Sequence, residues 1–273
     1  MGENLSLIAS RRDEASMNMV KFLTSVMDFR VTSRNSLVYE SDEYRNVRLY
    51  LTDKELLFLN DFNNDGDPFS SFIFLSKHRS ASGIASLTCH STGNFSQDNL
   101  YGGEPNELGL AYPSLEKAYF NELYRNHNTF LDYQITLEAT HHGPTSFRGP
   151  ILFVEIGSGP TQWTDWNAAA AVCNSILKIS PLELKGSSKA AIALGGTHYP
   201  TKLNRILLET DFSIAYIVTK NNLQLICSEM MQQMIARSTE KITHILLDWK
   251  GLGKDKKNVL ATIGATNLEV VRI

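Results

Sequence analysis

The sequence predicts an α/β fold: a mixed, largely parallel sheet with helices on both faces. Two observations carry this expectation. From Trp163 onward, helical and strand-like patterns alternate without a break, the order that yields parallel strands covered by helices. Upstream, Val47 to His90 is rich in short strand-like runs, which predicts a strand-rich elaboration in the N-terminal half. No internal repeat or low-complexity linker divides the 273 residues, so a single domain spanning 1–273 is expected.

The chain opens with a strand at Leu5–Ser10. Asp13 is a candidate N-cap for a helix from Glu14 to Asp28, whose apolar face is Met17, Val20, Phe22, Leu23, Val26 and Met27. Strand-like runs follow at Ser36–Glu40, Val47–Thr52, Leu56–Leu59, Phe72–Ser76 and Ile84–His90. A loop rich in Gly, Asn and Pro covers Ser91–Pro105 and leads to a helix near Ser114–His127. Strands Tyr133–Thr140 and Ile151–Ile156 bracket a His-His-Gly-Pro turn. Helix Trp163–Ile179 precedes strand Ala190–Leu194, and helix Lys202–Thr210 precedes strand Ser213–Val218. Helix Leu223–Arg237, strand Ile242–Leu247, helix Asp255–Ala265 and strand Leu268–Arg272 complete the order.

Composition narrows the function classes. Hydrophobic content of 42% and charged content of 20% are ordinary for a globular chain. Net charge is −3, so any nucleic-acid partner must be held by a local basic patch. Three cysteines (Cys89, Cys173, Cys227) without a CxxC disfavour a disulfide framework or thiolate zinc knuckle, and fit a reducing, cytoplasmic location. No apolar stretch approaches the ~18 residues of a transmembrane helix. The start lacks a signal-peptide pattern, so no membrane role is expected. Met1–Ser6 matches the loose myristoylation pattern, but a strand beginning at Leu5 leaves little free arm.

Five of seven histidines sit in three polar segments at strand ends: His78 and His90, His141 and His142, and His198. Loops at strand ends are where α/β proteins place ligands, and histidine is both the side chain titrating near neutral pH and the commonest metal ligand. The alternation of a strand puts Thr88 and His90 on one face and Cys89 on the other, which makes Cys89 a core residue. Val154 to Trp163 reads as strand, Gly-rich turn and helix, with Gly157, Ser158 and Gly159 able to aim N–H groups at an oxyanion. Gln162 stands where a dinucleotide fingerprint needs its third glycine. Asp61–Asp67 imitates the start of an EF-hand, but Phe72 occupies the position of the bidentate glutamate and Pro68 interrupts the run, so a polar turn is expected. Zinc-protease, deaminase and nucleophile-elbow motifs are absent.

Several motifs in order resemble the archaeal and plant type of D-aminoacyl-tRNA deacylase. They are Leu75-Ser76-Lys77-His78-Arg79-Ser80, Ser82-Gly83, Leu87-Thr88-Cys89-His90, Gly93-Asn94 and Tyr101-Gly102-Gly103. Thr140-His141-His142-Gly143-Pro144, Phe153–Ser158, Trp163, Gly195–Pro200 and Asp248–Gly251 continue the series over nearly the whole chain. Two departures stand out: Cys89 replaces a small aliphatic residue, and Ser91-Thr92 replaces a Pro-containing turn.

The resemblance implies a peptidyl-tRNA hydrolase- or phosphorylase-like α/β fold, hydrolysis of D-aminoacyl-tRNA, and zinc. Under it, His78, His141, His142, Glu155 and His198 are candidate catalytic residues, with His90, His141, His142 and His198 candidate metal ligands. Lys77, Arg79, Ser80, Ser82, Thr88, Gly157, Ser158, Trp163, Thr197, Tyr199, Lys202 and Lys250 are candidate substrate contacts. A tRNA patch is expected from Lys77, Arg79, Lys202, Arg205, Lys250, Lys254, Lys256 and Lys257. The chain acts as a monomer or homodimer on this reading. The alternatives are a peptidyl-tRNA hydrolase or nucleoside phosphorylase, and a non-catalytic tRNA-end or metal-binding module. A pure binding module has no need of several titratable groups in one crevice.

Overall fold

Two sheets carry the fold. The computed structural model describes residues 5–33, 36–39, 47–62, 71–126, 132–186 and 189–273. The larger sheet has eight strands, in the order β2 (Arg30–Ser33), β3 (Ser36–Tyr39), β4 (Val47–Thr52), β1 (Leu5–Ser10), β5 (Ser71–Lys77), β8 (Ile151–Gly157), β6 (Ser86–His90) and β7 (Gln134–Leu137). Its centre, β4-β1-β5-β8, is parallel, whereas β6 runs antiparallel to β8 and parallel to β7. The smaller sheet, β10 (Phe212–Val218), β9 (Lys189–Leu194), β11 (Ile242–Leu247) and β12 (Glu269–Arg272), is wholly parallel.

Alternation in β5 and β8 sorts the two faces of the larger sheet. Ile73, Leu75, Leu152, Val154 and Ile156 face a core shared with helices α1 (Glu14–Val26), α2 (Pro113–Arg125) and α4 (Trp166–Lys178). Cys89 joins this core, as its alternation predicted. The opposite face begins as an aromatic cluster of Tyr50, Phe72, Phe74, Phe147 and Phe153. It turns polar one step further, at Ser76 and Glu155. The smaller sheet shares the first core through α5 (Thr201–Glu209) and packs its other face on α6 (Ser228–Ala236) and α7 (Lys256–Gly264).

The mixed α/β class and most elements are as expected, and the differences have local causes. Leu56–Phe58 is a 3-10 turn, not a strand: Leu56 and Leu59, three apart, are buried while Phe58 is exposed, a helical spacing. Helix Trp163–Ile179 divides into α3 (Pro160–Trp163) and α4. Asp165 caps α4 by accepting from Asn167 N, while Asn18 Nδ2 donates to the carbonyls of Trp163 and Asp165 (3.1 and 2.8 Å), holding the break open. Asp13 caps α1 as expected. The myristoylation pattern at Met1–Asn4, most of the Asp61–Asp67 turn, Glu40 and His127 lie outside the described residues. No described helix is long and apolar enough to cross a membrane.

One buried carboxyl in α2 is a liability with a pH signature. Glu116 is 2% exposed, and burial pushes its pKa up to about 8 against the opposing pull of His90 and a hydrogen bond from Ser91 Oγ (3.2 Å). The folded state therefore keeps the proton. Its contribution to stability is complete below the ordinary carboxylate pKa and is lost as pH rises through about 8. Glu116→Gln keeps an uncharged acceptor for Ser91. Urea midpoints of variant and parent are expected to agree near pH 4 and to separate toward pH 8, the variant gaining about 2–4 kcal/mol.

Candidate active site at the junction of the two sheets

The antiparallel entry of β6 builds the floor. Its register sets Thr88 opposite Glu155 and His90 opposite Phe153, so these four side chains share the polar end of one sheet face. His90 stacks on Phe153 with ring centroids 5.3 Å apart and an interplanar angle of 17°. The sequence places these histidines in loops at strand ends, which leaves open whether they meet. They do converge, across a sheet face: His78 follows the end of β5, while β6 delivers His90 from the other direction.

Past β7 the chain leaves the larger sheet. Ala139 N bonds His198 O (2.8 Å) and Thr140 N bonds Ile217 O (3.0 Å), which fastens the His-His turn to the smaller sheet. His142 adopts a left-handed φ of 45°, a conformation held by its surroundings. Gly93 N donates to His142 O (2.8 Å), and Thr92 Oγ1 donates to Pro144 O (2.8 Å). The Ser91-Thr92 departure thus has a use: one hydroxyl reaches Glu116 and the other clamps the turn. At Gly143 a Cβ would lie 2.2 Å from Gly103 N, so only glycine lets the two turns touch.

Glu138, which the sequence pattern did not single out, is the hub. It is 1% exposed, with Oε1 at 3.1 Å from His78 Nδ1 and Oε2 at 2.8 Å from His198 Nε2 and 3.8 Å from His141 Nε2. Glu155 Oε2 lies 3.3 Å from the same His78 Nδ1, and His78 Nε2 is 2.8 Å from the Tyr199 hydroxyl. The His78 Nδ1 hydrogen bond goes to Glu155, while Glu138 Oε1 stands within ion-pair distance of the same nitrogen without a hydrogen bond of its own. Burial works against charge on His78, but Glu155 and Glu138 outweigh it and raise its pKa. Burial likewise opposes ionisation of Glu155, yet the hydrogen bond from His78 holds it well below the carboxylate range. The signal for Glu138 was its spacing to His141, an E-x-x-H in which Thr136, Glu138 and Thr140 alternate with apolar neighbours.

Three rings have their tautomer settled by backbone. Nδ1 of His90, His141 and His142 meets the carbonyl oxygens of Ser91 (3.1 Å), Ala139 (2.8 Å) and Gly143 (2.7 Å). A carbonyl only accepts, so each Nδ1 carries hydrogen and each neutral ring presents its Nε2 lone pair. Buried His90 Nε2 has no hydrogen-bond partner, its closest acidic neighbour being Glu155 Oε1 at 3.9 Å. Burial and neighbouring imidazoles hold His141 well below the usual histidine range and His142 down at about 3, so both are neutral at physiological pH. One ligand atom from each of the three lies within 4.8 Å of the others, and Glu138, His141 and His198 form an overlapping group. Such a donor set, with each far nitrogen anchored by backbone, fits a divalent metal.

A cavity of about 530 Å³ opens onto this cluster, lined by His78, His141, His142, Glu155, His198 and Tyr199 together with Asp13, Lys77 and Arg79. His90 and Thr88 lie behind it, both 0% exposed. Gly157 does not serve an anion-binding helix: α3 has four residues and begins with Pro160, which lacks an N–H. Its lack of a side chain instead makes room for His78, because a Cβ would lie 2.6 Å from that ring. Ser158 Oγ donates to Ile84 O, Thr197 Oγ1 to Tyr199 O, and Ser80 and Ser82 bond each other. The indole of Trp163 donates to His78 O (2.9 Å) beneath Lys77 and Arg79. Lys202 pairs with Asp248 (2.6 Å) and Arg205 with Glu209 (3.4 Å), so two expected patch residues have internal partners. Gly251 packs 2.5 Å from Gly196 N when given a Cβ, which ties the segment carrying Lys250 and Lys254 to the His198 loop.

Residues 66–271 match the sequence model of a family described as D-aminoacyl-tRNA deacylase. A D-aminoacyl-tRNA deacylase of Cenarchaeum symbiosum is 30% identical over 265 residues, covering 97% of this chain and 98% of the relative. Another, from Methanocaldococcus jannaschii, is 31% identical over 98% of each. A crystal structure described as a conserved protein of unknown function is similar over 100% of this chain and 96% of its own, at 25% identity and a TM-score of 0.86.

The Gly157 contact gives a matched pair of variants. Gly157→Ala is expected to lower unfolding free energy in urea by about 1–3 kcal/mol, the overpacking range. Gly159→Ala, whose Cβ meets only the Gln162 side chain at 3.6 Å, is expected to stay within about 0.5 kcal/mol of the parent.

Proposed function

The chain belongs to the D-aminoacyl-tRNA deacylase family, and from that premise we propose how its residues carry out the reaction. It hydrolyses the ester joining a D-amino acid to the tRNA 3′ end, releasing free D-amino acid and tRNA. An aminoacyl ester is already activated, so the site must place a water, take its proton and stabilise the developing oxyanion.

The observation carrying the mechanism is the His198–Glu138 pair. Glu138 fixes His198 through Nε2, leaving Nδ1 as the acceptor on a side chain 40% exposed at the cavity. His198 is the base: it takes a proton from water as the carbonyl carbon is attacked, then returns it to the departing ribose oxygen. Glu138 stabilises the imidazolium formed in between. Tyr199, held by His78, offers its hydroxyl to the developing oxyanion. His90, His141 and His142 would hold a zinc ion, which when bound would supply Lewis-acid chemistry at the carbonyl and at water. The polar wall of Ser10, Asp13 and Ser76 faces the acyl half, where a fixed position for amine and Cα selects the enantiomer without reading the side chain.

The acceptor stem lies along Lys77 and Arg79 over Trp163, and along Lys250, Lys254, Lys256 and Lys257. Lys256 and Arg272 flank the Trp249 ring at 3.9 and 3.8 Å. On this reading the chain acts as one domain, monomeric or dimeric, in the cytoplasm where aminoacyl-tRNA is found.

Matched D- and L-aminoacyl-tRNA test the activity: release from the D-ester alone is expected, and equal rates refute it. His198→Ala is expected to lower kcat by about 10²–10⁴-fold. Exhaustive chelation is expected to remove zinc by elemental analysis and activity together, with zinc restoring both. Full activity in metal-free protein defeats the zinc assignment. Charge removal at Lys254, Lys256 and Lys257 together is expected to raise KM for aminoacyl-tRNA and flatten its salt dependence by about three charges. Unchanged salt dependence leaves the cluster as a solvated helix start.

A further inference from the structure

The rim of the site carries exposed apolar side chains on a backbone that cannot move away. Leu100 and Tyr101 are 71% and 65% exposed. Their turn is pinned on every side: Leu100 N donates to Asp98 Oδ1 (3.0 Å), Gly102 N to Asn99 O (2.9 Å), and Asn94 Nδ2 to Gly102 O (2.8 Å). Gly143 N donates to Tyr101 O (3.1 Å), which joins the turn directly to the two catalytic-site histidines. Gly102 lies so close to Leu57 that a Cβ would meet its carbonyl oxygen at 2.0 Å. A rigid, exposed aromatic ring at a site mouth is a binding surface rather than a frayed loop.

Tyr101, His141 and His142 also form the wall between two cavities. On one side is the 530 Å³ cavity with Asp13 and Glu155. On the other is a smaller one of about 170 Å³, lined by Asn94, Phe95, Asp98, Leu100 and Asn222. A scissile ester at the histidines has its acyl half on one side and its nucleoside half on the other. The larger, carboxylate-lined cavity suits the acyl half with its ammonium. The smaller is left for the base that the ribose carries.

We propose that Tyr101 is the stacking platform for the terminal adenine of the tRNA, with the Phe95–Asn222 cavity as its subsite. This rests on the deacylase reading of the substrate and names the part of it that this rim takes. Single-stranded bases are held by stacking on aromatic faces. The side-chain amide of Asn222 is the group that pairs bidentately with adenine edges. Asn222 also lines a third cavity with Gly196, Thr197 and Lys220, where the Lys220 ammonium meets the phosphate that joins the adenosine to the preceding nucleotide.

The test compares D-alanyl-adenosine with D-alanine methyl ester, which has no base. In Tyr101→Ala, KM for the adenosine ester is expected to rise about tenfold relative to KM for the methyl ester, and Tyr101→Phe is expected to restore the parent ratio. A tRNA ending in 2-aminopurine gives a readout without turnover: stacking quenches its fluorescence on binding to the parent, and Tyr101→Ala removes the quench. An unchanged KM ratio, or a quench that survives in Tyr101→Ala, overturns the assignment. So does a defect that grows with the amino-acid side chain in a methyl-ester series, since Tyr101 then holds the acyl half. Failure of the parent to release D-amino acid from intact tRNA is a different result, the failure of the deacylase reading itself.

Discussion

The centre of this protein depends on how two carboxylates stay ionised out of water. Glu138 and Glu155 are buried, and an uncompensated charge there costs several kcal/mol. Among the described residues neither has a Lys or Arg ion pair; imidazoles do that work, with His78 facing both carboxylates. The arrangement is therefore mutual. Carboxylates keep His78 proton-binding, and that ring helps to keep Glu155 ionised. His141 and His142 sit beside the same charges yet are driven neutral by burial and by each other. One small volume thus holds imidazoles of two opposed characters, a proton holder and lone-pair donors.

That volume exists because the strand direction reverses between β8 and β6. Were β6 parallel to β8, His90 would project beyond the same sheet edge as His78. Running antiparallel, β6 sets its last residue against Phe153, in the body of β8, and β7 beside it delivers Glu138 and the His-His turn. Residues 139 and 140 then pair with the smaller sheet, so the reversal also joins the two sheets. Glycines at 143, 157 and 251 mark the places where backbone or ring must approach more closely than a Cβ permits.

Much of this was legible in the sequence and the remainder was not, for identifiable reasons. Elements with sustained periodicity, such as α1 with its Asp13 cap or β8, appear where expected. Leu56–Leu59 was too short for a period to separate a turn from a strand. The five histidines were visible because polar rings at strand ends are conspicuous. Glu138 was not, since a carboxylate alternating along a strand reads as solvent-facing, and only tertiary packing seals its side. Strand direction leaves no trace in alternation either: period two is the same whichever way a strand runs. Glu116 escaped for the same reason as Glu138, an acidic position whose burial is decided by the elements packed over it.

Charge in the crevice is sorted by depth. Asp13, Glu138 and Glu155 lie inside, while Arg12, Lys77 and Arg79 stand at its wall and mouth. With the chain as a whole at −3, attraction for a polyanion comes only from such local groups. It is screened by salt over about 8–10 Å, whereas the buried carboxylates are screened far less. An aminoacylated 3′ end carries both complements, phosphates outward and an ammonium at the acyl tip. Deacylation separates them. The freed amino acid carries a carboxylate into a carboxylate-lined cavity, and the freed tRNA retains only the rim contacts. The carboxylates that suit the ammonium of the substrate therefore disfavour the freed amino acid, whose own carboxylate meets like charge in that cavity.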